Sequence, residues 1–269
     1  MIIKRMHYTP KISIITVTLN AAADLQKTLG CLAGQDYPEL EIIVIDGGST
    51  DETRQVIALF SDRLSYWICE PDHGIYDAMN KGLAKATGEW VNFMNAGDVF
   101  ISPLALSTVF TGDYHDTDVI YGDGIADYCN FKLLQKASPL DDLWKGMPFC
   151  HQAMFTRTAL VKPQGFSTEY TIASDFDLVY RLYTGNRNFH HVPDPICIFE
   201  VRGVSNQLHI KSWKERYGIY KKYGNTSVKK QVFYGSLFIV FLFTWLGYAV
   251  FPRKMMYGIV KFIYREHLI

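Results

Sequence analysis

The sequence has no excess of charge of either sign, because 27 Lys and Arg residues balance 27 Asp and Glu residues and the formal net charge at pH 7 is zero. A protein that attracts a polyanion by its overall field needs a basic excess, so this balance predicts no nucleic-acid partner. Cysteine is scarce as well: the five cysteines are an odd number, and no two form a C-x-x-C pair. This pattern argues against a disulfide framework and a zinc site, and it favours a reducing compartment.

Signatures of several common protein classes are also absent. The N-terminal segment MIIKRMHYTPK has neither the apolar core nor the small-residue cleavage site of a signal peptide. No G-x-G-x-x-G follows the first predicted strand, which argues against a dehydrogenase. No glycine-rich phosphate loop ends in a lysine, which argues against a nucleotidyltransferase.

The N-terminal part of the chain alternates strand-like and helix-like segments. Hydrophobic residues make up 48% of the 269 residues and charged residues 20%, a composition typical of folded proteins. Short runs rich in Ile, Val and Thr are separated by helical patterns, which predicts an α/β fold with a mostly parallel, Rossmann-like central sheet flanked by helices. The predicted strands are residues 11–19, 41–45, 64–69 and 89–94.

Carboxylates follow these predicted strands at the points where ligands bind. In open parallel sheets, ligands lie outside the carboxyl ends of the strands. The loops at those ends are residues 17–20, 46–51, 70–74 and 95–98, and three of the four carry carboxylates. The sequence therefore predicts a site for a metal and a phosphorylated ligand at this edge.

The C-terminal region differs in character, and we predict a division into residues 1–207 and residues 208–269. Residues 211–230 carry seven Lys or Arg and a single acid, Glu215. Residues 232–251 then contain no charged residue, which reaches the length of a membrane-spanning helix. After Pro252, residues 253–267 have amphipathic spacing. We expect a helical, membrane-associated appendage whose basic part faces anionic headgroups.

Three arrangements of residues 232–251 remain open. The segment spans the bilayer once, or it lies in one leaflet as a hairpin with the amphipathic segment, or it is a buried helix of the globular domain. Lys and Arg flank it on both sides. Because such residues resist translocation, the one-sided, monotopic arrangement is favoured.

Five segments in a fixed order carry a family resemblance: ISIITVTLN, EIIVIDGGSTDET, GIYDAMNKGLAKATGEWVNFMNAGD, PFCHQAMFTRTAL and ASDFDLVYRL. Over residues 11–181, and on to about 205, the chain resembles an inverting, family 2 type glycosyltransferase with a GT-A fold. The resemblance implies transfer of a sugar from a nucleotide-sugar donor, UDP-linked, to a hydroxyl of a lipid-linked saccharide. It further implies bacterial surface polysaccharide assembly at the cytoplasmic face of the inner membrane.

The resemblance also implies a set of donor-binding residues, and four of them, Asn20, Asp46, Asp77 and His151, have a structural alternative. Asp46 would accept a nucleobase N–H, or it bonds its own turn backbone. Asn20 faces the nucleoside, or it caps the next helix. Asp77 faces the ribose or diphosphate, or it is a solvated acid in the first turn of a helix. The implied set is Thr18, Asn20, Asp46, Asp77, Asn95, His151 and Arg202.

The last two members of this set lie in the second half of the chain. His151 precedes Gln152 in PFCHQAMF and would face the donor sugar or the acceptor. The alternative is a buried, hydrogen-bonded structural histidine. Arg202 belongs to residues 199–205, which we expect to form a flexible lid over the diphosphate.

Residues 95–98, Asn-Ala-Gly-Asp, occupy the place of the family's D-x-D metal motif. The resemblance implies a divalent cation, Mn2+ or Mg2+, that neutralises the departing diphosphate. Asp98 is the implied metal ligand, since Asn95 and Gly97 stand where acids are usual. An amide carbonyl is a weaker ligand than a carboxylate, and the alternative for Asp98 is a turn aspartate.

Asp175 matches the family's catalytic base. An acceptor hydroxyl that attacks the anomeric carbon must lose a proton, and a carboxylate within hydrogen-bond reach accepts it. Asp177 points elsewhere on a helix, and Arg181 pairs with either acid. The alternative is that both acids only stabilise the N-terminus of a helix.

A second hypothesis comes from a different functional class. The depleted metal motif is also expected in a non-catalytic, nucleotide-sugar-binding or scaffolding subunit of a membrane assembly that makes polysaccharide. The presence of Asp175 argues against this hypothesis.

Overall fold

The computed structural model describes residues 9–201, 209–224 and 227–250, and it forms an α/β fold around one nine-stranded sheet. The strands are β1 (Ile12–Thr18), β2 (Leu40–Asp46), β3 (Tyr66–Cys69), β4 (Trp90–Phe93), β5 (Val99–Phe100), β6 (Val119–Asp127), β7 (Lys132–Gln135), β8 (Met154–Arg157) and β9 (Phe189–Glu200). The helices are α1 (Ala22–Ala33), α2 (Thr53–Leu59), α3 (Ile75–Lys85), α4 (Ala105–Val109), α5 (Thr158–Val161), α6 (Ser174–Thr184), α7 (His209–Tyr223) and α8 (Val228–Val250).

The first four strands form the parallel half of the sheet. β1 pairs in parallel with both β2 and β4, and β2 pairs in parallel with β3. Every residue of β1 is buried, as in strands that are covered on both faces. Its side chains alternate between two layers, so that Ile15 shares a core cluster with Leu83 of α3 and Ile14 shares one with Leu29 of α1. This half of the sheet confirms the predicted strands and their parallel order.

The second half of the sheet is largely antiparallel, so the expectation of a mostly parallel sheet is wrong for this part. β8 runs antiparallel to β4 and β6, β7 antiparallel to β6, and β5 antiparallel to β9, whereas β6 and β9 are parallel. The order is β3-β2-β1-β4-β8-β6-β9-β5, with β7 beside β6. Antiparallel neighbours need no helical crossover, which is why the strand–helix alternation fades in this part of the sequence.

A buried carboxylate ties the amino ends of β1, β2 and β4 together. Glu41 in β2 accepts hydrogen bonds from the Ser13 hydroxyl and from the N–H and hydroxyl of Thr87. Lys11 adds an ion pair at 3.0 Å. Burial alone would raise the pKa of Glu41, but these donors outweigh it and lower the pKa to about 2. Gly88 fits here because a Cβ would lie 2.6 Å from the amide nitrogen of Ser13.

The two C-terminal helices pack on the globular body. Ile219 of α7 is fully buried in the core cluster that contains Phe176 of α6. Tyr234 of α8 is buried against the ring of Tyr220, with 4.7 Å between ring centroids. The indole N–H of Trp213 donates to the carbonyl of Tyr234 at 2.9 Å. The N-terminal half of α8 is therefore docked on α7.

The outer side of the N-terminal half of α8 carries exposed apolar side chains. Val228, Val232 and Ile239 are exposed by 77%, 67% and 53%, and their spacing places them on one helix face. Within residues 9–201, 209–224 and 227–250, no helix combines the length and the hydropathy needed to cross a bilayer. The amphipathic segment 253–267 lies outside the described residues.

Replacing Glu41 by Gln removes the charge that its four donors stabilise. We expect Glu41→Gln to lower the free energy of unfolding at pH 7 by roughly 3 kcal/mol. Because the folded-state pKa is depressed, this stabilisation is fully present above the unfolded-state pKa and is lost as pH falls towards 2. Urea denaturation at pH 7 and pH 3.5 measures both effects. The difference in unfolding free energy between wild type and variant should be smaller at pH 3.5 than at pH 7 by about 1 kcal/mol or more. A difference that does not depend on pH would contradict this account of Glu41.

Candidate active site

Parallel pairing brings the carboxyl ends of the first strands into line. Thr18 at the end of β1 pairs with Asp46 at the end of β2, and Asp46 pairs with Cys69 at the end of β3. Beyond β4, the N–H of Ala96 donates to the carbonyl of Val17 at 3.2 Å, so the loop after β4 joins the same edge. The four predicted loops therefore meet at one edge of the sheet.

Side chains tie the first two of these loops together. Asn20, at φ 49°, accepts the N–H of Thr50 at 2.8 Å, and its own N–H donates to Ser49 Oγ at 2.7 Å. The N–H of Ser49 donates to the fully buried carboxylate of Asp46 at 3.1 Å. Asp46 thus bonds the backbone of its own turn, which is the structural alternative given for it above. Asn20 joins two loops and does not cap α1. The buried Thr18 hydroxyl has no hydrogen-bond partner within the described chain.

Two acids shape the loop after β3. Asp72 accepts the N–H of Gly74 at 2.8 Å, and its carboxylate fills the space that a Cβ on Gly47 would take. Asp77 accepts the N–H of His73 at 3.0 Å, and this bond is the main reason that the pKa of Asp77 lies below its ordinary value. Asp77 therefore stabilises the turn that enters α3, and Asp72 is the acid that lies beside the β2 loop.

The loop after β4 turns through Gly97 and buries Asp98. Gly97 has φ 99°, a left-handed conformation that favours glycine over an acid. Asp98 is 6% exposed and accepts hydrogen bonds from the Gln152 amide at 2.8 Å and from the N–H of Glu200 at 3.0 Å. Burial raises the pKa of Asp98 to about 6, against the lowering effect of the Gln152 hydrogen bond and the charge of His151.

The same loop offers oxygen ligands for a cation, but these ligands alone do not complete its coordination shell. Asn95 Oδ1 is buried and has no hydrogen-bond partner among the described residues. Each Asp98 carboxylate oxygen keeps acceptor capacity beyond the bond that it makes. No group of three or more His, Cys, Asp or Glu in the described parts of the chain is placed to hold a metal ion. The donors present fit a hard divalent cation whose remaining ligands are phosphate oxygens and water.

A buried asparagine in β4 fixes the short helical turn that carries His151 and Gln152. The side-chain amide of Asn92 donates to the carbonyls of Gln152 and Met154, both at 2.8 Å, and Asn92 is fully buried. His151 Nε2 lies 3.4 Å from Asn95 Nδ2, which can only donate.

Asp175 is presented by the first turn of α6 towards this histidine. Its Oδ2 lies 3.6 Å from His151 Nδ1, and its Oδ1 lies 3.2 Å from the Tyr76 hydroxyl and accepts the N–H of Phe176 at 2.8 Å. The Asp175 side chain is 25% exposed, so an incoming hydroxyl has access to it. Burial and the charge of Asp175 raise the pKa of Tyr76, which keeps that phenol neutral.

The neighbouring acid of α6 has a separate, structural environment. Asp177 is 1% exposed and accepts the Nε–H of Arg181 at 2.9 Å. The guanidinium of Arg181 also donates to the carbonyl of Gly165 at 2.7 Å. The two acids point in different directions, as expected, and Arg181 pairs with Asp177.

The structure brings three of the predicted site residues into one line of contacts, from Asp175 through His151 to Asn95. Asp98 joins them through Gln152, the residue next to His151. Thr18, Asn20 and Asp46 lie along the strand edge, and Asp77 lies at the start of α3. Arg202 falls outside the described residues.

Several polar contacts at the site were not predicted, among them those of Tyr76, Lys27 and Glu200. Tyr76 reaches Asp175, and Glu200 at the end of β9 forms an ion pair with Lys27 at 2.9 Å. Lys27 also donates to the carbonyl of Gly97 at 2.9 Å. In the sequence, Tyr76 and Lys27 look like ordinary helical residues, and nothing marks them as site residues. For Glu200, the one available signal is that it is an acidic residue at the end of a long strand.

Comparison with known families identifies related proteins. The family model described as Glycosyl transferase family 2 matches residues 13–168. A PGL/p-HBAD biosynthesis glycosyltransferase of Mycobacterium bovis is 35% identical over 217 residues, which is 77% of this chain and 84% of that protein. A GalNAc(5)-diNAcBac-PP-undecaprenol beta-1,3-glucosyltransferase of Campylobacter jejuni is 36% identical over 104 residues, 37% of this chain and 33% of that protein.

Solved structures share the fold. The S. aureus TarS 1–349 complex with UDP-GlcNAc aligns with a TM-score of 0.63 and 20% identity, over 86% of this chain and 71% of that one. This chain spans less than half, 43%, of the longer S. aureus TarS structure. Mannosyltransferase PcManGT from Pyrobaculum calidifontis, in complex with GDP-Man and Mn2+, aligns with a TM-score of 0.66 and 17% identity over 97% of this chain and 82% of that one. The GT-A expectation is thereby confirmed for the fold.

Truncating Asn92 should destabilise the turn that carries His151. We expect Asn92→Ala to cost about 2–3 kcal/mol of unfolding free energy, because the carbonyls of Gln152 and Met154 lose their buried donor. Thr16→Val is a matched control, since the Thr16 hydroxyl is buried in β1 without a partner, and it should be neutral or stabilising. Urea denaturation compares the two. Equal effects of both variants would show that the Asn92 hydrogen bonds contribute nothing specific.

Proposed function

The chain belongs to glycosyl transferase family 2, and on that premise we propose that it transfers a sugar with inversion from a UDP-sugar to a hydroxyl of a lipid-linked saccharide. The observation that carries this proposal is the contact line Asp175–His151–Asn95, in which a half-buried carboxylate faces the loop that corresponds to the family's metal motif.

The geometry supports Asp175 as the base. In the proposed reaction the acceptor oxygen attacks the anomeric carbon, the bond from that carbon to the diphosphate oxygen breaks, and the acceptor proton passes to Asp175. The hydrogen bonds from Tyr76 and Phe176 are on its Oδ1, whereas its Oδ2 lies 3.6 Å from His151 Nδ1. His151 thus lies between the base and the donor loop and orients the carboxylate.

The strand edge supports the donor side of the proposal. The unpartnered oxygens of Thr18 and Asn95 both lie at this edge, and a buried polar atom without a partner is usually satisfied by a ligand, ion or water. With Asp46 engaged by Ser49, we place the nucleobase near Asn20 and the β1–β2 loops, and the diphosphate towards Asn95 and Asp98. The neighbour structures hold UDP-GlcNAc and GDP-Man, which fits a nucleotide-sugar donor.

Asn95 and Asp98 would hold a divalent cation, Mn2+ or Mg2+. When bound, such a cation supplies charge that stabilises the departing diphosphate. The chain's own part is to keep Asp98 oriented by the hydrogen bonds from Gln152 and Glu200. With one carboxylate in the loop, we expect weak affinity for the cation in the absence of donor.

The acceptor side rests on the C-terminal helices. The exposed apolar face of α8 and the Lys-rich flank at residues 211–230 suit a one-sided association with an anionic membrane surface, where a lipid-linked acceptor resides. The Campylobacter jejuni relative is named for an undecaprenol-linked saccharide. The cytoplasmic face of the inner membrane is the corresponding location that we propose.

Donor hydrolysis by the purified chain in detergent tests the proposed function. We expect nucleoside diphosphate release from one member of a panel of UDP-, GDP- and dTDP-sugars, faster with added Mn2+ and lost in EDTA, because the diphosphate needs charge compensation. Release that persists in EDTA would support the proposed transfer reaction and contradict the proposed role of the cation. No release from any donor, with a lipid-linked acceptor extract present, would favour a binding or scaffolding subunit.

Asp175→Asn should separate chemistry from donor binding. We expect sugar transfer to fall by about 100-fold or more, because the variant cannot accept the acceptor proton, while the donor dissociation constant changes by less than about twofold. Glu169→Gln, which neutralises an exposed acid nearby in sequence, is the matched control and should retain full activity. Turnover of Asp175→Asn at the wild-type rate would refute its role as base.

A further inference from the structure

A carboxylate from the C-terminal region holds the backbone that leads into α6. Glu215 of α7 accepts the N–H and the hydroxyl of Thr171 on Oε1, at 3.1 and 3.0 Å. Its Oε2 accepts the N–H groups of Ile172 and Ala173, at 2.9 and 3.0 Å. Four donors from three consecutive residues thus converge on one side chain. Ala173 is the N-cap residue of α6, which has no cap from its own side chain.

The segment that Glu215 holds directly precedes the proposed base. Asp175 follows Ala173 by two residues, so the backbone at residues 171–173 sets where the first turn of α6 begins. A carboxylate at this position also faces the positive end of the helix dipole. The placement of the Asp175 carboxylate therefore depends on a contact made from outside the domain predicted to contain the active site.

The same segment controls the hydrogen bond of Tyr76. The Tyr76 hydroxyl has one proton, which it donates to the carbonyl of Ile172 at 2.7 Å, while Asp175 Oδ1 lies 3.2 Å from the same oxygen. If the Ile172 carbonyl moves, the proton of Tyr76 is released to Asp175 instead. The carboxylate would then be occupied by a donor when the acceptor hydroxyl arrives.

Other contacts keep α7 in a defined position along α6. Ile219 of α7 is fully buried in the core. The rings of Tyr180 and Tyr223 stack with centroids 5.8 Å apart, and Lys222 Nζ lies 3.9 Å from Asp177. Glu215 therefore lies on a helix that is held firmly against α6. A side chain in this position can hold the backbone of residues 171–173 in place.

From these contacts we propose that Glu215 is a positioning residue for sugar transfer: it holds residues 171–173 so that Asp175 meets the acceptor hydroxyl and Tyr76 stays bonded to Ile172. The inference rests on the proposed function. It makes α7 a structural part of the active site as well as part of the membrane-associating region.

Two variants of the full chain test this role. In Glu215→Ala all four hydrogen bonds are lost, and we expect kcat to fall by about 10- to 100-fold, because misplacement of a reacting group by about 1 Å has an effect of that size. The donor dissociation constant should stay within about twofold, since the four hydrogen bonds of Glu215 go to residues 171–173 and to no residue of the proposed donor site. Glu215→Gln keeps one acceptor oxygen, so its kcat should lie between those of wild type and Glu215→Ala.

Trp213→Phe is the matched control in the same helix. It removes the hydrogen bond to the Tyr234 carbonyl and weakens the α7–α8 contact without touching residues 171–173. We expect thermal stability to fall and kcat to remain within about twofold of wild type. The proposal is overturned if Trp213→Phe and Glu215→Gln show the same relation between the loss of kcat and the loss of thermal stability. Glu215 would then have only a structural role.

A measurement that needs no turnover separates this inference from the proposed function. Amide hydrogen exchange of residues 171–173 should be at least about 10-fold faster in Glu215→Gln than in wild type, while Trp213→Phe leaves it unchanged. Unchanged exchange in Glu215→Gln would overturn the proposal even if the enzyme is active. Absence of transfer by wild type would refute the proposed function, and faster exchange would then still support the hold of Glu215 on the segment before Asp175.

Discussion

The parallel, in-register pairing of β1 with β2 and β4 is the constraint on which the rest of the structure depends. It brings three carboxyl ends to one edge, so that loops far apart in sequence meet there. Burial of both faces of β1 resists a register shift, which would move apolar side chains out of their layers. At the opposite edge, the hydrogen bonds of Glu41 to Ser13 and Thr87 hold the amino ends of the same strands.

The antiparallel half of the sheet completes the site by delivering polar groups to that edge. Gln152 comes from the turn before β8 and Glu200 from the end of β9, and both donate to Asp98. Asp98 is thereby buried with one hydrogen bond on each carboxylate oxygen, although desolvation still raises its pKa to about 6. A loop with one such carboxylate and one unpartnered amide oxygen fits a cation that arrives with a phosphorylated donor.

The C-terminal helices are partly exposed, and one of them, α7, contacts the segment that precedes Asp175. The helix α7 carries an exposed basic flank, a buried Ile219 and the single acid Glu215, which contacts the entrance to α6. The N-terminal half of α8 docks on α7 through Tyr234 and exposes the apolar side chains of Val228, Val232 and Ile239. The exposed basic flank and the acid that contacts the segment before Asp175 therefore belong to the same short helix.

Sequence patterns were sufficient to predict the strand–helix alternation of the first half and the family, and they named Asn95, Asp98 and Asp175 as candidate site residues. Local patterns are sufficient there, because burial on both faces and parallel crossovers leave regular apolar runs. The fold decided between alternatives that the sequence left open, since Asp46 bonds to Ser49 and Arg181 pairs with Asp177. It also brought Tyr76 and Glu215 to the segment around Asp175. Tyr76 and Asp175 are 99 residues apart, and no local periodicity in the sequence predicts a contact of that kind.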